Sequence, residues 1–171
     1  MTSRSAERTG APWLPPRWFI RAAWVTHRAI YRFTAGRRGL AEPTPGGRFG
    51  YLRLTTVGRR SGVERAAILG YIEDGLNLVS IAMNGWADTD PAWWLNLQGR
   101  PEARVHLKSG ARAVRARAAA GEERARLLDR LQEQSGYGND IDAFVAARKS
   151  ETAVVVFEPM PTVATSEGSA E

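Results

Sequence analysis

The sequence predicts a mostly β, α+β domain in which six antiparallel strands form a barrel flanked by helices. Three observations lead there. Short runs rich in aromatic and β-branched residues follow one another with turn residues between them. They come as hairpins and not as strand–helix–strand units, which argues against a doubly wound parallel sheet. No G-x-G-x-x-G follows any strand, so the pyrophosphate turn of a dinucleotide fold has no candidate.

In chain order, residues 1–16 are rich in Ser, Arg and Pro and are expected to be a flexible leader. Residues 17–34 read as an amphipathic helix. Arg17, Arg21, Arg28 and Arg32 share one stripe, and Phe19, Ala22, Ala29, Ile30 and Phe33 lie on the broadly opposite face. Gly36 and Gly39 end it. Residues 49–56 are the first strand and 57–62 a turn. Residues 63–73 and 76–83 are the next two strands, joined at Asp74-Gly75, a dipeptide suited to a tight hairpin. Asp90 as N-cap and Pro91 in the first turn open a short helix with its body at 92–98. Residues 103–108 and 111–119 make a second hairpin about Ser109-Gly110. Leu127, Leu128 and Leu131 give residues 122–134 a helical stripe. Asn139 or Asp140 caps a further helix ending at Arg148. Residues 152–158 are an apolar strand expected at the centre of the sheet, and 161–171 a disordered tail. A single domain therefore spans 17–160, with neither a repeat nor a second domain.

With 171 residues, of which 43% are hydrophobic and 25% charged, the chain can bury one ordinary core. It has no cysteine, which excludes disulfides and thiolate metal sites. Its two histidines, His27 and His106, are too few for a histidine-rich metal site, and neither sits in a nucleophile motif. No metal is expected. The net charge of +6 favours an anionic partner: a phosphorylated small molecule, an anionic lipid surface or nucleic acid. Nucleic acid is not expected, because the arginines are scattered over several elements and no binding motif accompanies them. Lys108 and Lys149 are the only lysines, and arginine forks read phosphate and carboxylate bidentately. Genomic codon bias accounts for many of these arginines equally well. No signal peptide and no bilayer-spanning apolar stretch is evident, so a cytoplasmic protein is expected. Ile20, Trp24 and Tyr31 beside the arginine stripe make the first helix a candidate for peripheral attachment to an anionic membrane. Docking of that helix on its own domain is the competing reading.

Two segments are candidates for chemistry. In Thr55-Thr56-Val57-Gly58-Arg59-Arg60-Ser61-Gly62-Val63-Glu64-Arg65, two glycines bracket two arginines and a serine within a turn. Glycine permits close backbone approach to an oxyanion, and guanidinium forks with a hydroxyl complete an anion cradle. A solvated hairpin tip is the competing reading. In Ile81-Ala82-Met83-Asn84-Gly85-Trp86, small residues at a strand end leave room for a flat ring, and Trp86, Trp93 and Trp94 supply rigid apolar area. One of Trp93 and Trp94 is expected in the core, because adjacent helical residues face apart.

These two segments, with Asp90-Pro91-Ala92-Trp93-Trp94-Leu95-Asn96-Leu97, Gly121-Glu122-Glu123-Arg124 and Val154-Val155-Val156-Phe157-Glu158-Pro159, resemble the deazaflavin-dependent nitroreductase and F420H2-dependent quinone reductase family. That family belongs to the split β-barrel, FMN-binding-like superfamily. The resemblance covers about residues 24–160 with motif order and spacing intact. It implies an F420-dependent oxidoreductase passing hydride to a quinone-like or other electron-poor acceptor. It implies that Thr56, Gly58, Arg59, Arg60, Ser61, Gly62 and Arg65 hold the anionic part of the cofactor. Ile81, Ala82, Met83 and Asn84 then line the deazaflavin, and Ala92, Trp93 and Trp94 close the pocket. Trp24, Met83, Trp86 and Tyr137 are the candidate acceptor pocket, and a homodimer follows by analogy. Three positions depart from the family: Arg60 stands where lysine is usual, Ile68-Leu69 replaces Pro-Leu, and Tyr137 is alone where nitroreductase members carry a tyrosine cluster. The alternatives are an FMN-binding split-barrel reductase and a non-catalytic cofactor or lipophilic-ligand binder.

Overall fold

The computed structural model describes residues 39–83, 89–134 and 151–161. The expected leader, the helices at 17–34 and 139–148, and the tail beyond Pro161 lie outside the described residues. Within them the strands are β1 Gly50–Val57, β2 Glu64–Asp74, β3 Asn77–Ile81, β4 Glu102–Leu107, β5 Gly110–Ala118 and β6 Val154–Pro159. The helices are α1 Ala92–Gly99 and α2 Gly121–Gln132. The strands close an antiparallel barrel in the order β1-β2-β3-β6-β5-β4, with β4 pairing back to β1 across Arg53–His106, Leu54–Val105 and Thr55–Arg104. As expected of an apolar run, β6 has a neighbour on each side and buries Val154 to Phe157.

The two-residue period of the strands sorts their side chains into two cores. Leu52, Leu54, Leu69, Tyr71, Leu78, Val105, Val114, Val155 and Phe157 pack together in the barrel, joined by Trp93, Trp94 and Leu97 of α1. The alternate residues Ile72, Val79, Ile81, Val154 and Val156 form a second core with Leu127 and Leu131 of α2. Helix and strand periods therefore meet on one outer face of the barrel.

Strand and helix ends shift from the sequence expectation by one or two residues, and two hairpin loops and one helix cap show why. Asp74 pairs with Asn77, so the hairpin loop is Gly75 and Leu76, with Gly75 at φ +62°. Leu107 pairs with Gly110, so the second loop is Lys108-Ser109 and not Ser109-Gly110. The N-cap of α1 is Pro91 and not Asp90; the backbone at Pro91 is still extended, and its carbonyl accepts from the Trp94 and Leu95 amides at 3.0 and 3.1 Å. At these three places the shift is a single residue. Strand pairing and the proline conformation decide it, and neither is visible in a local residue preference.

Asp74, released from the loop, anchors α2. Its carboxylate accepts from both terminal nitrogens of Arg126, at 3.0 and 2.9 Å, and from Arg130, which also donates to the Glu73 carbonyl. At the other end of α2, Arg117 donates to both oxygens of Glu123 and to Glu158. The Arg126 hydrogen bonds, more than the neighbouring positive charges, hold the Asp74 carboxyl below its ordinary value against the opposing effect of burial. Arg117 does the same to Glu123. Burial first, then the charges of Arg53 and Arg104, hold the His106 imidazole below its ordinary value. In all three the unfolded chain binds protons more readily than the folded one, so their contribution to stability is lost as pH falls. For the carboxylates it is present above the ordinary acid range and disappears through the lower folded values. Asp74→Asn is expected to cost about 1 kcal/mol or less near neutrality, since the pairs are partly screened by water. Urea unfolding of wild type and variant from about pH 7 to about pH 3 checks this. The two curves should converge toward the acid end, and a gap that stays constant with pH rules out this role for the carboxylate.

Candidate functional site

Antiparallel order places three connections at one barrel end. The β1–β2 turn, the exit of β3 into α1 and the exit of β5 into α2 all leave from there, while the two short hairpins and the entry to β1 occupy the other. Both candidate segments are thereby at the same end.

The turn from Gly58 to Val63 is closed by its own backbone. The Gly58 amide donates to the Val63 carbonyl at 2.9 Å, and the Gly62 amide to the Gly58 carbonyl at 2.8 Å. The Val63 amide donates to the Ser61 hydroxyl at 3.4 Å. Gly62 sits at φ +66°, where a side chain is strained. A Cβ on Gly58 would stand 2.7 Å from Ser61 Oγ and 3.1 Å from the Val63 carbonyl oxygen, so a larger residue there would turn the Ser61 hydroxyl aside and press on the turn's own backbone.

Asn96 of α1 locks the turn from below. It is 7% exposed; its Oδ1 accepts the Arg59 amide at 3.1 Å, and its Nδ2 donates to Thr56 Oγ1 at 3.1 Å. Thr56, itself buried, therefore supports the turn from behind. Arg59, Arg60, Ser61, Gly62 and Arg65 are exposed. Among the described residues Arg59, Arg60 and Arg65 make no ion pair, whereas Arg115, Arg117, Arg124, Arg126 and Arg130 each have a carboxylate partner. The guanidinium forks of Arg59 and Arg60 and the Ser61 hydroxyl on the turn, with Arg65 at the start of β2, form a donor set that fits a phosphate or carboxylate group.

At the β3 exit, the side chains of Ile81 and Met83 pack toward the core under α2, and Ala82 toward the barrel core. The Ala82 amide donates to the Ala153 carbonyl at 2.8 Å. Asn84, Trp86, Tyr137 and Trp24 lie outside the described residues. In α1, Ala92 is exposed, while Trp93 and Trp94 are both buried, at 8% and 6% exposure. Their rings meet edge-on with centroids 6.3 Å apart, and Trp93 lies 6.3 Å from Phe157. Both tryptophans belong to the barrel core because α1 packs across the barrel end, so the expectation that only one is core is corrected. Tyr71, in the barrel wall, is fully buried and its hydroxyl has no partner among the described residues; burial, then Glu73 and Glu42, push it up to about 12.

Sequence reasoning assigned no role to Asn96. A lone amide between Trp93-Trp94 and Leu97 on the buried side of a short helix is the signal for it, since a buried polar side chain needs partners.

A closed six-stranded antiparallel barrel with a helix across one end defines a class by its fold, the split β-barrel proteins. Two solved structures share the fold. One, described as a domain-swapped dimer, has a TM-score of 0.59 at 22% identity and covers 84% of this chain and 100% of its own. Another, an F420-H2 dependent reductase called FDR-A, has a TM-score of 0.57 at 21% identity and covers 70% of this chain and 100% of its own. A Mycobacterium tuberculosis H37Rv protein, Rv3178, named there as a candidate F420H(2)-dependent quinone reductase, is 35% identical over 92 residues, 54% of this chain and 73% of the relative. The chain matches the F420H(2)-dependent quinone reductase family over residues 24–159 and belongs to it. It is accordingly an F420-dependent oxidoreductase that reduces quinone-like acceptors, and neither the FMN reading nor the non-catalytic one is favoured. Among the described residues no helix is long and apolar enough to cross a membrane.

Proposed function

We propose that the anionic part of F420 is held at the β1–β2 turn by Arg59, Arg60, Ser61, Gly62 and Arg65, on a backbone set by Gly58 and Thr56. The observation that supports this is the gathering of exposed Arg59, Arg60 and Ser61 on one glycine-bracketed turn, with exposed Arg65 just beyond it in β2 and no ion pair to any of the three arginines among the described residues. The deazaflavin is taken to lie along the backbone at Ile81, Ala82, Met83 and Asn84, beside Ala92, with Trp93 and Trp94 as the packed wall behind. Bound reduced F420 supplies a hydride for an electron-poor acceptor. The chain's own part is to bind the anion, to orient the ring and to keep water from it. Trp24, Met83, Trp86 and Tyr137 remain the proposed acceptor pocket.

In the same reading the protein pairs as a homodimer, supported by the neighbour described as a domain-swapped dimer. Peripheral attachment through the arginine stripe at 17–34 rests on the sequence alone. The test of the cofactor reading is a pair of titrations at one ionic strength, following tryptophan fluorescence. F420 is expected to bind more tightly than FMN, because three forks exceed what one terminal phosphate engages. Equal affinity, or tighter FMN, removes the case for the turn as the F420-selective element.

A further inference from the structure

We infer that Asn96 is a positioning residue for cofactor binding: it fixes the β1–β2 turn, and through it the guanidinium groups of Arg59 and Arg60, without touching the cofactor itself. This rests on the reading that the turn holds the anionic part of F420. Both ends of the Asn96 amide are engaged in joining two elements. Its oxygen takes the Arg59 backbone proton and its nitrogen serves Thr56 Oγ1, both at 3.1 Å. Those partners bracket Gly58, where the chain leaves β1 for the turn. The chain can swing at the glycine, so the hold on both flanks determines which way the next residues point. Arg59 itself is exposed and has no carboxylate partner among the described residues; its backbone amide is held by Asn96, in addition to the turn's own backbone hydrogen bonds. The anchor is stiff, because α1 is wedged into the barrel core by Trp93, Trp94 and Leu97. Asn96 is 7% exposed and lies behind the turn, with little surface to offer a ligand. A donor array held before the anion arrives loses less conformational freedom on binding, which raises affinity without adding a contact.

The experiment compares Asn96→Leu, Arg60→Ala and the double variant with wild type. Leucine keeps the approximate volume and removes both hydrogen bonds. The readouts are the F420 dissociation constant, the rate of trypsin cleavage after Arg59 and Arg60 without cofactor, and the urea midpoint. Asn96→Leu is expected to raise the dissociation constant about tenfold and to speed cleavage at the turn by a similar factor. The double variant should bind less weakly than the product of the single effects, because both act through one turn. If Arg60→Ala weakens binding while Asn96→Leu changes neither affinity nor cleavage, Asn96 has no positioning role although the turn still binds. Multiplying effects, with cleavage unchanged, also overturn the proposal. If neither single variant alters affinity, the reading of the turn fails and this inference with it. Should Asn96→Leu not fold, Thr56→Val removes the Asn96 Nδ2 acceptor at nearly constant shape. It should weaken binding in the same direction, and Thr56→Ser should restore it; equal affinities for the two overturn the proposal.

Discussion

Arg60→Ala is expected to weaken F420 binding by about 1.5–3 kcal/mol, the range of a hydrogen bond to a charged group. That is roughly a tenfold to hundredfold rise in the dissociation constant. The side chain is exposed at the tip of the β1–β2 turn and makes no ion pair among the described residues, so removing it costs the fold little. Its loss should be read in affinity and not in the urea midpoint. Arg60→Lys should lose much less: the charge stays, while the planar fork that grips two oxygens at once is gone. The gap between wild type and Arg60→Ala should narrow in high salt, as it must for exposed charges. An alanine variant that binds F420 as wild type does would leave the turn as a solvated hairpin tip.

What could be read from the sequence follows the range of the forces involved. The barrel was legible because alternation is local: Leu52 and Leu54 face in, Tyr51 and Arg53 alternate with them, and each hairpin declares itself through its turn residues. The anion turn was legible for the same reason, since its glycines and arginines lie within a few residues of each other. The rest depended on partners far along the chain. Asn96 meets Arg59 and Thr56 across separations of 37 and 40 residues, and nothing near it in the sequence names them. Asp74 looked like a turn residue; its arginine partners lie 52 and 56 residues away, and they give it a structural task instead. Trp93 and Trp94 looked divided between core and pocket because a free helix shows its residues on all sides. A helix packed across a barrel end can bury both.

Phe157→Ala should be among the most destabilising single changes, at about 3–5 kcal/mol, since a buried ring is lost and the cavity closes only in part. Phe157 is fully buried in β6, where it pairs with Leu78 on one side and Ala116 on the other. Strands on both sides limit how far the barrel can collapse. Against a typical stability of about 5–15 kcal/mol, such a loss leaves a marginal domain. Phe157→Leu fills most of the space and should cost less, about 1–2 kcal/mol. The ring also lies 6.3 Å from Trp93, so it supports the helix that carries Asn96 to the turn. Its loss should therefore weaken F420 binding even at a temperature where the variant is still folded. Leu127→Ala provides the comparison. Leu127 is equally buried, in the core under α2, and its truncation should cost about 2–5 kcal/mol. That core contains no residue of α1, although Ile81 and Met83 of the proposed ring site belong to it, so Leu127→Ala should lower F420 affinity less than Phe157→Ala does. Urea midpoints and F420 titrations on the same preparations separate the two effects. If Leu127→Ala weakens binding as much as Phe157→Ala, the loss follows global stability, and the path from Phe157 through Trp93 to the turn plays no part in binding.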